Sequence, residues 1–224
     1  MILDDGSKAV IHFNTKDNKT IGKDGTIPSV VIKITDPNGK EHKVTGAGYH
    51  DHQWVNMKHN STWDHWIWGR QDFGDYAILI FDIGTQKKYG NKRLPMMFLE
   101  DKDGNLVMED LKDPKCKFVE EYKEKLSGKM YPKVIDYTFT QGNKITKYKI
   151  SHIEELESRD PTSQLPKIMQ AALKIKGLHP STTRNFAKGK MIYTDGTNTI
   201  EREGDMIYEF VYMGITVKGQ MENL

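Results

Sequence analysis

The feature that most restricts this chain is a repetition of short runs of alternating apolar and polar residues, each closed by a Gly, Asn or Asp turn. A period of two is the mark of half-buried antiparallel strands. Lys8–Phe13, Ser29–Thr35, Trp66–Arg70, Tyr76–Ile83, Val134–Thr140 and Lys144–Ser151 all carry it. The C-terminal end adds Gly189–Thr194, Thr199–Arg202, Met206–Tyr212 and Ile215–Gln220. Between runs, Pro37-Asn38-Gly39-Lys40, Asp103-Gly104-Asn105, Gln141-Gly142-Asn143 and Asp195-Gly196-Thr197 put Gly or Asn where a hairpin needs a positive φ. Such turns join neighbouring strands, so a meander is the economical topology.

Helix is scarce by the same reading. In Leu165–Lys174, the side chains Leu165, Ile168, Met169, Ala172 and Leu173 share a face at helical spacing, with Gly177 placed to end the run. Lys117–Lys125 is a second candidate with weaker periodicity. The stretch Glu154–Arg184 reads as one long excursion between strands, of the kind that covers a barrel end. The chain has 224 residues, enough for one large β domain or two small ones. No internal repeat or linker divides it, so one domain over residues 1–224 is expected.

The single cysteine, Cys116, excludes an intramolecular disulfide and a thiolate zinc cluster. Asp113–Lys117 reads as a Lys-rich turn with no His nearby in sequence, which gives Cys116 little support as a nucleophile. The formal net charge of +2 is spread over interspersed Lys, Arg, Asp and Glu, without the basic footprint of a nucleic-acid binder. Lys clusters such as Lys87-Lys88 and Lys144–Lys149 fit solvent-facing strand positions, and Met96-Met97 fits core. No apolar run has the length of a membrane span, and Met1–Asp5 lacks the features of an export signal. With Met1 as the native start, a cytoplasmic protein without an integral membrane segment is expected.

Against this background one segment stands out. All four tryptophans (Trp54, Trp63, Trp66, Trp68) and four of the eight histidines (His50, His52, His59, His65) fall between Tyr49 and Arg70. If Gly46–Trp54 is extended, His50, His52 and Trp54 point one way and Tyr49, Asp51 and Gln53 the other. Trp66, Trp68 and Arg70 share a face in the same manner. The next strand is nearly all apolar and ends in Phe81-Asp82, and an Asp in such a strand is costly to bury without a partner or a proton. The expectation is that these imidazole, indole and carboxylate groups converge on one apolar hollow.

The string Gly46-Ala47-Gly48-Tyr49-His50-Asp51-His52-Gln53-Trp54, followed by Trp66-Ile67-Trp68-Gly69-Arg70 and an apolar strand ending in Phe81-Asp82, resembles the signature of the hydroxyneurosporene synthase (carotenoid 1,2-hydratase) and AttH-like family. Leu3–Ile11 and Gly204–Gly214 are more thinly similar to its opening and closing strands. The resemblance implies an all-β, lipocalin-like antiparallel β-barrel, as a single or incomplete double barrel with one or two short helices. It also implies a hydrophobic, isoprenoid- or carotenoid-like small molecule as substrate and no cofactor. In the hydratase branch a proton adds to a terminal trisubstituted double bond and water captures the tertiary cation. Carried over by position, Asp82 is the acid, His52 orients it or positions water, and Trp54 stabilises the cation. Tyr49, His50, Trp66, Trp68, Arg70 and Phe81 would line the substrate site. Gln53, Val55 and Phe81 stand where the family usually has Asn, Gly and Tyr, and the chain is shorter than two-barrel members.

Plainer readings stand beside these. His50 and His52 fit a structural role beneath a loop, or a metal site shared with His59 or His65. The Trp-x-Trp strand fits ordinary packing, and Asp82 fits an ion pair with Arg70. The whole chain also fits a lipocalin-like carrier of an apolar ligand without chemistry, or a structural β domain.

Overall fold

The computed structural model describes residues 6–13, 26–49, 62–111, 114–175, 178 and 180–213. β1 (Lys8–Phe13), β2 (Thr26–Thr35) and β3 (Glu41–Tyr49) form a three-stranded antiparallel sheet in that order. Nine further strands make a second sheet: β4 (Trp63–Asp72), β5 (Tyr76–Thr85), β6 (Arg93–Asp101), β7 (Leu106–Asp110), β8 (Lys115–Lys123), β9 (Met130–Gln141), β10 (Lys144–Arg159), β11 (Ser181–Thr194) and β12 (Thr199–Tyr212). Their spatial order is β7-β6-β5-β4-β12-β11-β10-β9-β8. Two meanders therefore meet where β12 pairs with β4, and the edge strands β7 and β8 are consecutive in the chain.

That connectivity dictates the shape. A flat sheet of this width would hold its edge strands about 38 Å apart at roughly 4.8 Å per strand. The five residue steps from Asp110 to Lys115 reach at most about 18 Å. The sheet must curl, and it does so into a half-barrel in which side chains tie the edge strand β7 to β9 and β10. Thr140 N–H donates to Asp110 Oδ2 at 2.8 Å, and Lys144 Nζ to the Val107 carbonyl at 2.6 Å. The concave side is packed with Ile67, Ile78, Ile80, Met97, Leu99, Tyr137, Phe139, Tyr148, Tyr208 and Phe210, all essentially without solvent exposure.

Most strands and turns fall where the period of two places them; Gly142 and Gly196 have φ of 63° and 94° at their hairpins. Thr199–Arg202 and Met206–Tyr212 are one continuous strand, β12, and Ile215–Gln220 lies outside the described residues. The second helix expected over Lys117–Lys125 is instead β8, and Cys116 belongs to that strand rather than to a turn. Phe118 and Tyr122 are four residues apart, a spacing that fits one face of a helix but, being even, also one face of a strand, and both are half-buried in β8.

The long excursion is also shorter than expected. β10 runs to Arg159 and β11 begins at Ser181, so only residues 160–180 leave the sheet. Within them lies α1 (Lys167–Ile175), which has no buried residue and leaves Ile168 and Ile175 85% and 86% exposed. It does not cover the barrel end as the sequence suggested.

Polar side chains also organise the core. Gln71 reaches from β4 to β11, donating to the Gly189 carbonyl at 3.3 Å and accepting from the Tyr148 hydroxyl at 2.8 Å. A Cβ at residue 189 would overlap both the Gln71 amide and the Tyr148 hydroxyl. Gly189→Ala is therefore expected to destabilise the fold by about 1–3 kcal/mol, the usual cost of overpacking, measured as a lower urea midpoint at unchanged slope.

Candidate functional site

Burial along β4 divides its side chains by parity. His65, Ile67, Gly69 and Gln71 are buried; Trp66, Trp68 and Arg70 are half-buried. Register extends the division to β5, where Asp82 lies opposite Ile67 and Phe81 opposite Trp68. The Tyr137 hydroxyl donates to Asp82 Oδ2 at 2.9 Å, although β9 lies five strands from β5 along the sheet. Only a meeting across the concave side allows that bond. Asp82 thus faces inward, while Trp66, Trp68, Arg70 and Phe81 face outward. The side chains expected to share one hollow are split between the two faces, because adjacent strand residues point opposite ways.

Asp82 is 1% exposed and sits among donors. Arg93, from β6, pairs with it through Nη2 and donates from Nε to Oδ1 at 3.3 Å. The Cys116 thiol lies 3.8 Å from Oδ2, and the Arg93 guanidinium stacks 3.7 Å from the centre of the Phe118 ring. Burial opposes the charge on Arg93, but its surroundings together, the Asp82 carboxylate foremost, outweigh it and the pKa of Arg93 rises. Burial, reinforced by Asp82, pushes the Tyr137 phenol well above its ordinary value. Burial likewise pushes the Cys116 thiol up. Both keep their protons. Every group aimed at Asp82 is a donor, an arrangement suited to an acceptor-only carboxylate rather than to a carboxylic acid. Its ion-pair partner is Arg93; Arg70, the candidate from sequence, points outward and lies 3.5 Å from Asp72.

The outward face is aromatic. Trp63 meets Trp66 and Phe81 edge-on, with ring centres 5.8 Å and 6.1 Å apart. Tyr49, the last residue of β3, packs on Trp68 at 5.1 Å, and Arg70 lies 5.8 Å from the Tyr49 ring. A carboxylate belongs to this face as well: Glu209 on β12, opposite Trp68, accepts from Trp66 Nε1 at 3.3 Å. Such tilted and edge-on pairs contribute about 0.5–1.5 kcal/mol each beyond area burial, so the rings form a fixed surface. Tyr49, Trp66, Trp68, Arg70 and Phe81 are thereby brought together. His50, His52 and Trp54 lie outside the described residues, as does His59.

Sequence reasoning missed Arg93, which reaches Asp82 diagonally from the next strand, and Tyr137 and Glu209, which come from strands distant in the chain. Alternation on β12 was the one available signal for Glu209. On the concave side His152 stacks on Tyr122 with ring centres 4.5 Å apart and lies 3.3 Å from the Tyr208 hydroxyl; burial lowers the pKa of His152. Among the described residues no group of three or more His, Cys, Asp or Glu is placed to hold a metal ion. None of their helices is long and apolar enough to cross a membrane.

No protein-family profile and no curated protein matches the chain in sequence. Solved structures match it in shape. CghA, solved with Sch210972, superposes with a TM-score of 0.58 at 10% identity, covering 86% of this chain and 54% of that one. An AttH-type protein (NE1406) from Nitrosomonas europaea gives a TM-score of 0.50 at 16% identity, covering 85% and 52%. The chain shares their fold. It is the lipocalin-like, all-β architecture of AttH-like proteins, and the chain spans about half the length of the structures it matches.

The Asp82–Arg93 pair yields a direct stability prediction. Asp82→Leu or Arg93→Met alone strands a buried charge and is expected to cost about 3–5 kcal/mol, whereas the double variant recovers much of that loss. Denaturant unfolding of the three variants measures it; additive losses would mean that the two groups are not coupled.

Proposed function

We propose that this chain binds a hydrophobic, unsaturated, isoprenoid-like small molecule on the outward face of β4 and β5 and promotes its acid-assisted hydration, isomerisation or cyclisation. The observation that carries this reading is the set of Tyr49, Trp63, Trp66, Trp68 and Phe81 rings on that face, beside the point where β3 hands the chain on to His50, His52 and Trp54. Flat aromatic surfaces bind extended apolar molecules, and their π faces favour a passing carbocation. In this reading Trp54 adds to that stabilisation and His52 positions water or relays a proton. Glu209 is the carboxyl that shares the face with the indoles. The solved neighbour CghA was crystallised with a small molecule, Sch210972, which accords with a ligand-binding role for the fold.

A second reading, a carrier that binds such a molecule without transforming it, is favoured by one specific observation. Asp82, the acid implied by the family resemblance, is ion-paired with Arg93 on the opposite face from the indoles.

Geranylgeraniol, which ends in a trisubstituted double bond, separates the two. It is expected to shift the tryptophan fluorescence saturably, with Trp68→Ala weakening binding by about tenfold, as loss of one buried aromatic contact of about 1.4 kcal/mol would. Mass spectrometry should then show a product heavier by one water, or an isomer of altered retention, and His52→Ala should abolish turnover while leaving the fluorescence shift intact. Binding without product selects the carrier. No saturable shift removes both readings.

A further inference from the structure

β4 opens with a bulge: Trp63 pairs with Thr85 and His65 with Gly84, leaving Asp64 as the extra residue. A bulge re-aims side chains that regular alternation would send to opposite faces. Here both Asp64 and His65 are buried, at 5% and 3% exposure. Asp64 Oδ2 lies 3.0 Å from His65 Nδ1. The imidazole stacks nearly parallel to Phe210 and Tyr212, with ring centres 5.6 Å and 6.4 Å away. Its room comes from Gly84, where any Cβ would overlap the ring. The far nitrogen, His65 Nε2, is buried and has no hydrogen-bond partner among the described residues.

We propose that Asp64 and His65 form a proton-accepting dyad on the concave side of the sheet, serving the O–H of water or of a hydroxylated small ligand. The Asp64 carboxylate accepts the Nδ1–H, so the neutral imidazole carries its lone pair on Nε2. A buried acceptor left unmatched is destabilising, a loss tolerated most readily where the group has a partner to receive. When an O–H approaches, its bond breaks, the proton passes to Nε2 and the electron pair stays on oxygen. The imidazolium is then held by Asp64. Arg93 sits in the same cross-strand row, opposite Gly84, and its Nη1 is a second buried nitrogen without a hydrogen-bond partner among the described residues. It is a donor of the kind that steadies an oxyanion. His65 is the residue that meets the ligand, and Asp64 is its positioning residue.

The inference stands apart from the aromatic-face reading, since His65 lies on the other side of the sheet, and its test requires no turnover. Nitrogen-15 NMR of the unmodified protein is expected to show His65 protonated at Nδ1 and bare at Nε2; the reverse tautomer overturns the dyad. Diethyl pyrocarbonate labelling followed by peptide mass spectrometry tests access to Nε2, with the exposed His42 as internal control. His65 should be labelled in the native protein, and Asp64→Asn should suppress that labelling about tenfold while leaving His42 unaffected. An imidazole that merely fills the core would stay unlabelled while His42 reacts, and that result sinks the proposal. Protection by geraniol, with none from the hydrocarbon myrcene, identifies a hydroxylated ligand as the O–H source. Labelling that geraniol does not alter identifies water.

Discussion

Five residue steps between β7 and β8 constrain everything else in this molecule. Two meanders joined at β4 and β12 would, if flat, hold those consecutive strands farther apart than the chain between them can reach. Curling is the only solution, and it gives the nine-stranded sheet a concave side and an outward side with different chemistry. Once the sheet curls, groups five strands apart can meet, as Asp82 and Tyr137 do. Each strand must then also send alternate residues to two distinct environments.

The chemistry follows that division. The concave side is packed with tyrosines, methionines and branched aliphatics, and its charges are held by partners, Asp82 by Arg93 and Tyr137. A buried ion pair of this kind contributes little net stability, since desolvation consumes much of the attraction. The outward side of β4 and β5 keeps its rings half-buried, steadied by Tyr49 from the smaller sheet. Those rings keep part of their surface accessible. The bulge at Asp64 breaks alternation, and it places a carboxylate beside an imidazole where a regular strand would have separated them.

Much of the fold was legible because period two is a local signal. Lys8–Phe13 matches β1, and Tyr76–Ile83, Val134–Thr140 and Lys144–Ser151 lie inside β5, β9 and β10. Phe118 and Tyr122 are spaced by four residues, which fits one face of a helix and equally one face of a strand, so spacing alone could not separate the two for β8. Arg93 could not be paired with Asp82 from sequence: the two are diagonal neighbours on adjoining strands, a relation that needs the register of a hairpin whose loop holds a short 3₁₀ turn, Lys87–Tyr89.

What the sequence determined by itself was the set of strands, the turns between them and the concentration of aromatic and imidazole groups from Tyr49 to Arg70, since each depends on residues near one another in the chain. What only the tertiary structure decided was which groups share a face. That depends on where the sheet curls and where its ladder slips by one residue. Trp66, Trp68 and Phe81 were thereby parted from Asp82, and Asp64 was brought to His65.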